Sequence, residues 1–169
     1  RLALDAQTRQ ARSLAAEPDL LVADEPTSML DVSIRMGILN LLVQLQRERG
    51  LAILLITHDL ASARFLAARI VVLYRGRVVE DGPTERVVGA PAHPYTRALL
   101  ASIAEPGTGP AYKAGRTSTA ASGSGCPFGD RCPELHDRCL REDPAPREFD
   151  GRRVRCHLYP VSPAGAGSQ

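Results

Sequence analysis

Two short apolar runs that each end in charged or polar side chains are the feature that most constrains the fold of this chain. Residues 20–23 are followed by Asp24 and Glu25, and residues 51–57 are followed by His58. Neither run alternates between apolar and polar residues. This pattern predicts two strands that are buried on both faces of a parallel sheet.

The segment between the two runs has the periodicity of an amphipathic helix. It extends from Val32 to Arg49 and ends before Gly50. Its apolar positions recur at helical spacing: Ile34, Ile38, Leu41, Leu42 and Leu45. The two strands and this helix form a β-α-β unit, whose crossover is almost always right-handed.

The pattern that follows predicts a mixed α/β fold with an antiparallel edge. Two β-branched runs, residues 70–74 and 77–80, surround Arg75 and Gly76, which indicates a hairpin with a tight turn. Further helices are predicted at four places: residues 6–16, 59–68, 84–88 and 95–103.

Composition and charge exclude several classes of function. Lys and Arg total 21 against 19 Asp and Glu, which gives a net charge of +2 and no large basic surface for nucleic acid. The longest apolar stretch is far shorter than the roughly 20 residues that a membrane span requires. Because no signal peptide opens the sequence, we expect a protein of the reducing cytosol, and the initial Arg1 suggests part of a longer protein.

The cysteines divide the chain. All of them lie in its last third: Cys126, Cys132, Cys139 and Cys156. Before them comes a run rich in Gly, Ser, Thr, Pro and Ala, which predicts a flexible linker, and the tail has a similar composition, which predicts disorder. The sequence therefore predicts a first domain, a linker, a Cys-rich extension and a tail, at residues 1–104, 105–125, 126–160 and 161–169.

Three interpretations of the cysteines remain open. The spacing C-x5-C-x6-C-x16-C lacks the close pairs of a zinc ribbon, and a reducing compartment disfavours disulfides. Thiolates suit both an iron–sulfur cluster and a structural Zn²⁺, and either would supply folding energy to a segment with too little apolar surface for its own core. His136 and His157 could replace a thiolate, but we expect each to be a surface or packing residue.

Asp24 and Glu25 have two interpretations as well. In open α/β sheets, ligands lie at the carboxyl ends of the strands, where one carboxylate can hold a hydrated Mg²⁺ and its neighbour can orient a water. The same pair before Pro26 can instead cap a strand and begin a turn. His58, at the end of the second run, is a donor that can contact a phosphate oxygen.

Several segments carry a resemblance to one family. Residues 20–31, which read LLVADEPTSMLD, and residues 56–60, which read ITHDL, resemble the Walker B, D-loop and switch-histidine segments of ABC-transporter ATPases. Residues 74–83 resemble the hairpin that follows the switch region. Residues 92–100 and 126–160 resemble the C-terminal extension of oligopeptide and dipeptide importer ATPases. The implied fold is a partial P-loop NTPase sheet of the RecA-like type, followed by a small Cys-rich extension.

This resemblance implies a role for each matching residue. Asp24 would coordinate Mg²⁺ through water, Glu25 would polarise the attacking water, and His58 would contact the γ-phosphate of ATP. Asp31, in the D-loop, would connect the site to a second ATPase subunit in a head-to-tail pair. The four cysteines would hold a [4Fe–4S] cluster, with Zn²⁺ as the alternative.

The resemblance also implies a function. The chain would belong to an ATP-hydrolysing subunit that powers the import of oligopeptides or dipeptides. Such a subunit binds permease subunits peripherally, at the cytoplasmic face of the membrane, and works indirectly with an extracellular peptide-binding protein. However, the chain contains no G-x-x-x-x-G-K-[ST] motif. The alternative is therefore a non-catalytic remnant that retains only the metal-binding extension.

The missing phosphate-binding loop generates a first prediction. Residues 1–169 alone should not bind ATP tightly, because they include neither the glycine loop nor its lysine, and Lys113 is the only lysine. Titration with a fluorescent ATP analogue is expected to give a dissociation constant well above the micromolar range. A micromolar value for this chain would contradict the prediction.

Overall fold

The structure, a computed structural model, describes residues 17–27, 30–104 and 125–160. The helix predicted at residues 6–16, the linker up to residue 124 and the tail lie outside these ranges. The chain divides into two compact units, Arg1–Ala67 and Ala68–Gln169. Within the described ranges, none of the helices combines the length and the apolar character that a membrane span needs.

The first unit contains the predicted β-α-β arrangement and one more helix. Its elements are β1 (Leu20–Asp24), α1 (Val32–Arg49), β2 (Ala52–Ile56) and α2 (Leu60–Leu66). The two strands are parallel, with Leu20 opposite Ala52 and Asp24 opposite Ile56. Helix α1 ends at Gly50, whose φ of +64° is the left-handed conformation that glycine adopts without a steric penalty.

One face of this strand pair forms the core of the first unit. Ile38, Leu42 and Leu45 of α1 pack in a cluster with Leu21 of β1 and Leu66 of α2. Burial of each such side chain contributes about 1.5–3 kcal/mol, so this cluster is what holds α1 against the sheet. The helical spacing in the sequence therefore identified three of the side chains that face the core.

The prediction that both strands are buried on both faces is wrong. Exposure alternates along β1, and Leu20 and Val22 remain 54% and 56% exposed, as does Leu54 of β2 at 53%. The part of the chain that the structure describes covers only one face of the strand pair. An apolar sequence shows that a strand can be buried, whereas burial itself depends on what packs against each face.

The second unit is built on an antiparallel sheet. Its elements are β3 (Arg69–Tyr74), β4 (Arg77–Pro83), α3 (Thr84–Gly89), α4 (Pro94–Ala104), a 3₁₀ turn (Gly129–Arg131), α5 (Asp137–Arg141), β5 (Arg147–Phe149) and β6 (Arg152–Val154). The strand order is β3-β4-β6-β5. Strands β3 and β4 form the predicted hairpin, and both turn residues have positive φ, +47° at Arg75 and +74° at Gly76.

Strand β6 joins the Cys-rich segment to the sheet that the hairpin begins. Val154 pairs with Glu80, and the backbone passes so close to β4 that a Cβ on Gly82 would lie 2.5 Å from that of Arg152. Val154 and Cys156 pack with Ala92 in a small core. The structure thus differs from the predicted boundaries, because the Cys-rich segment shares a sheet and a core with residues before the linker.

A buried ion pair holds these parts of the second unit together. Arg152 lies 3.3 Å from Glu80, and the two side chains are 3% and 0% exposed. The Glu80 carboxylate also accepts the backbone N–H groups of Ala92 and His93, each at 2.9 Å. The Arg152 guanidinium donates to the carbonyl of Ala90 at 2.5 Å. Every charge in this pair therefore has several hydrogen-bond partners.

Removal of one member should destabilise the second unit strongly. Arg152→Leu is expected to lower the free energy of unfolding by about 3–5 kcal/mol, because it leaves the Glu80 carboxylate buried without its partner. Urea unfolding followed by tyrosine fluorescence measures this change, since all four tyrosines lie after Ala68.

The neighbouring Arg153→Leu is the matched control. Arg153 is 58% exposed, and its partner Asp81 keeps a second ion pair with Arg69 at 2.8 Å. Because Arg153 is exposed and the buried Asp81 carboxylate retains Arg69, the loss of Arg153 should cost about 1 kcal/mol or less. Equal losses in the two variants would contradict the assignment of Arg152 and Glu80 as the central pair.

Candidate functional site

The ends of β1 and β2 bring together two residues that lie 33 positions apart. Because the strands are parallel and in register, their carboxyl ends meet at one edge. The backbone N–H of Glu25 donates to the carbonyl of Ile56 at 2.8 Å, which closes this edge. Glu25 has a φ of +46°, so the chain turns sharply directly after β1.

Glu25 and His58 are in direct contact. One carboxylate oxygen, Oε1, lies 2.6 Å from His58 Nδ1 and accepts the His58 backbone N–H at 3.0 Å. The hydrogen bond from the His58 side chain lowers the pKa of Glu25. An ionised carboxylate only accepts, so Nδ1 carries the proton of this bond. The His58 side chain is 81% exposed, which leaves its ring accessible to a ligand.

Arg35 and Asp59 support the loop that carries His58, and sequence reasoning missed this support. Asp59 caps α2 by accepting the N–H of Ala61 at 3.0 Å and the Ser62 hydroxyl at 2.6 Å. Arg35 lies 3.3 Å from the same carboxylate. Burial works to raise the pKa of Asp59, but the Ser62, Ala61 and Arg35 interactions outweigh it and lower that pKa. The signal in the sequence was an aspartate directly before a helical run.

The two other residues predicted for this site occupy different positions. Asp24 is the exposed last residue of β1, next to Glu25. Asp31 is exposed at the N-terminus of α1, and no side-chain cap bond forms there. None of the contacts among the described residues joins Asp31 to Glu25 or His58. The structure therefore brings together the Glu25–His58 pair and leaves Asp31 apart from it.

The four cysteines of the second unit line one cavity. It has about 310 Å³ of space between atoms, part of which is open to solvent. The cavity wall contains Cys126, Cys132, Cys139 and Cys156. The wall also contains the polar side chains of His93, Glu134 and His157. All four cysteines carry free thiols.

Backbone amides point at three of the sulfurs. The N–H groups of Phe128, Glu134 and Leu158 donate to the cysteine two positions earlier, and each favours the thiolate. Burial has the larger and opposite effect. It raises the pKa values of Cys126 and Cys156, and it raises that of Cys132 to about 12. The thiols of Cys126, Cys132 and Cys156 are therefore protonated at neutral pH unless a positive charge enters the cavity.

Cavity geometry limits what the cysteines can hold. In the described ranges, no three Cys, His, Asp or Glu side chains are arranged as ligands of one metal ion. The wall is completed by Phe128, which is 2% exposed and packs edge-on against Tyr74 at 5.2 Å between ring centres.

His93 and Glu134 were not predicted from the sequence as parts of this wall. They follow no metal-ligand spacing that could have indicated them.

Two solved structures are similar to part of the chain. The ATP-binding cassette MJ0796, a dimer bound to ADP and phosphate, is 34% identical, and the match covers 48% of this chain and 35% of that one with a TM-score of 0.46. CbiO1 from Clostridium perfringens, part of the ABC transporter complex CbiONQ, is 35% identical over 46% of this chain and 31% of that one, with a TM-score of 0.43.

Matches to related sequences cover more of this chain than the two structural matches do. The family described as the oligopeptide/dipeptide transporter, C-terminal region, matches residues 79–139. The dipeptide transport ATP-binding protein DppD of Escherichia coli is 42% identical over 92% of this chain and 49% of its own length. A probable peptide ABC transporter ATP-binding protein, y4tS of Sinorhizobium fredii, is 43% identical over 92% and 45%.

The chain thus spans about half the length of the curated relatives that it matches. Its similarity to them extends over nearly all of its own length, and the matched family region includes the first three cysteines. The chain belongs to the oligopeptide and dipeptide importer family of ABC-transporter ATP-binding subunits and corresponds to the C-terminal part of its members.

Proposed function

We propose that this chain supplies the water-activating and phosphate-sensing part of an ATPase that powers the import of oligopeptides or dipeptides. The observation that carries this proposal is the contact between Glu25 and His58 at the ends of β1 and β2. At such an edge, a carboxylate can orient a nucleophilic water while an imidazole in contact with it binds a phosphate oxygen.

Each residue at this edge has a role in the proposal. Asp24 coordinates Mg²⁺ through water, and its exposed position leaves room for a hydrated ion. Glu25 polarises the attacking water. Its lowered pKa keeps it ionised and able to accept a proton. His58, held by Glu25 through Nδ1, presents the rest of its ring to the γ-phosphate. Bound Mg²⁺ and ATP would supply the charge neutralisation and the leaving group.

The proposed assembly follows from the relatives. Since the chain spans half of their length, other parts of a complete subunit would supply the phosphate-binding loop. A second ATPase subunit would face Asp31 across a head-to-tail pair. We propose permease subunits as membrane partners, with an extracellular peptide-binding protein acting indirectly. The ATPase would then lie peripherally at the cytoplasmic face of the membrane.

We further propose a [4Fe–4S] cluster in the cysteine cavity. The supporting observation is that four thiols with three backbone amide donors surround a single cavity. Hydrogen bonds to ligand sulfurs are a general feature of iron–sulfur sites. When bound, the cluster would link the turns of residues 126–160 and add a one-electron redox centre.

A single zinc ion is the alternative. Four thiolates on one tetrahedral Zn²⁺, each at about 2.3 Å, lie only about 3.8 Å from one another, whereas a cluster spreads its ligands over four irons and accepts sulfurs that are farther apart.

The role of Glu25 can be tested in a full-length subunit that contains this segment. Glu25→Gln should lower ATP hydrolysis by at least about a hundredfold, because an amide keeps the volume but cannot accept the proton of the water. ATP binding should remain. Phosphate release measures hydrolysis, and nucleotide retention on a filter measures binding.

Glu48→Gln provides the matched control for this change. Glu48 is an exposed residue of α1, and its carboxylate accepts a hydrogen bond from the Gln44 side chain at 2.9 Å. Its hydrolysis rate should equal that of the wild type. His58→Ala should also lower hydrolysis, since it removes the proposed phosphate contact. Near-normal turnover in Glu25→Gln would refute the assignment of Glu25.

The cluster proposal is tested by metal analysis of the anaerobically purified chain. We expect a brown protein with about four irons per chain. A colourless protein with one zinc would refute the cluster and support the zinc alternative. A protein that binds neither metal would refute both, and the cysteines would then have only a packing role.

A further inference from the structure

Arg97 is a cation that joins three segments of the chain beside the cysteine cavity. Its guanidinium donates to the Glu134 carboxylate at 2.5 Å and to the Tyr159 hydroxyl at 3.2 Å. It also donates to the backbone carbonyls of Pro91 and Ala92, at 3.2 Å and 2.9 Å. One of these segments precedes the linker and two follow it. The fork of hydrogen bonds therefore holds the positive charge of Arg97 in one place.

The two charges of this ion pair lie close to the thiols. Glu134 is an acidic residue of the cavity wall, and its backbone N–H donates to the Cys132 sulfur. Both charges interact electrostatically with Cys156, and Arg97 attracts its thiolate whereas Glu134 repels it. The pair therefore contributes one charge of each sign to the electrostatic environment of the cavity.

A cluster in the cavity would respond to these charges. An iron–sulfur cluster with four thiolate ligands carries a net negative charge, and reduction adds one more negative charge. A fixed cation nearby stabilises the reduced state and raises the reduction potential, and a fixed anion lowers it. The side chains of Arg97 and Glu134 are 40% and 38% exposed, so water screens both charges only in part.

We propose that Arg97 and Glu134 form a charge pair that sets the reduction potential of the cluster in the cysteine cavity. Arg97 offsets the negative charge that Glu134 places in the wall, and so it makes reduction more favourable. This inference rests on the proposed cluster and leaves its four thiolate ligands unchanged. Neither residue of the pair binds iron.

Arg97 also has a structural role, which a conservative variant separates from its electrostatic one. Arg97→Lys keeps the positive charge but loses the planar fork that donates to several acceptors at once. If only the hydrogen bonds mattered, Arg97→Lys and Arg97→Gln would behave alike. If the charge matters, Arg97→Lys should stay close to the wild type and Arg97→Gln should not.

The test is a redox titration of the full chain, purified anaerobically and followed by electron paramagnetic resonance of the reduced cluster. Arg97→Gln should make reduction about three- to tenfold less favourable, which is about 30–60 mV for a one-electron couple. Glu134→Gln should shift the potential upward. The double variant should lie near the wild type, because both charges are absent.

Arg86→Gln is the matched control. Arg86 forms an ion pair with Asp150 at 3.0 Å, is 58% exposed, and is not part of the cavity wall. This variant removes a comparable partly exposed pair from the same unit, so its potential should equal that of the wild type. Iron analysis of every variant verifies that the cluster is retained.

The outcomes separate the charge pair from the cluster. A wild-type protein that contains the cluster, with an unchanged potential in Arg97→Gln, would overturn the charge pair alone. Equal shifts in Arg97→Gln and Arg97→Lys would overturn it as well. If Arg97→Gln does not retain iron, Glu134→Gln decides, and a potential at or below that of the wild type would overturn the charge pair. Absence of any cluster would overturn both proposals.

Discussion

The buried pair of Glu80 and Arg152 is the interaction on which the second unit depends. Glu80 belongs to the hairpin, and Arg152 belongs to a strand 72 residues later in the chain. The Glu80 carboxylate also binds the backbone at Ala92 and His93. A charge inside a protein is tolerated only when its partners are all in place, so this pair favours one arrangement of three separate segments.

The cysteine cavity is a consequence of that arrangement. Strand β6 ends two residues before Cys156, and its pairing with β4 determines where that cysteine lies. The segment at His93 contributes another part of the wall. Residues on both sides of the linker therefore meet at one cavity. A metal bound there would stabilise the sheet as well as the Cys-rich segment, because binding to the folded state alone shifts the folding equilibrium.

The geometry of the site in the first unit has a simpler origin. Parallel strands in register place their carboxyl ends together, and a sharp turn at Glu25 directs its carboxylate to His58. The Asp59 cap and Arg35 then restrain the loop on the other side. Phosphoryl transfer depends on charge neutralisation and an oriented water. A site for it therefore requires accurately placed side chains more than reactive ones.

The sequence by itself determined the local elements and the family. Periodicity and Gly50 located α1, the Arg75–Gly76 turn located the hairpin, and the order of polar residues after two apolar runs identified the Glu25 and His58 segments. These signals are readable because helical spacing, turn conformations and strand ends depend on neighbours in the chain.

Only the tertiary structure decided the rest. It left one face of β1 exposed, paired β6 with β4, buried Arg152 and placed His157, but not His136, in the wall of the cysteine cavity. Nothing local distinguishes Arg152 from Arg153 or the two histidines from each other. The physical reason is that burial, ion pairing and the direction of a ring nitrogen depend on residues distant in the chain, which meet only when the whole sheet has formed.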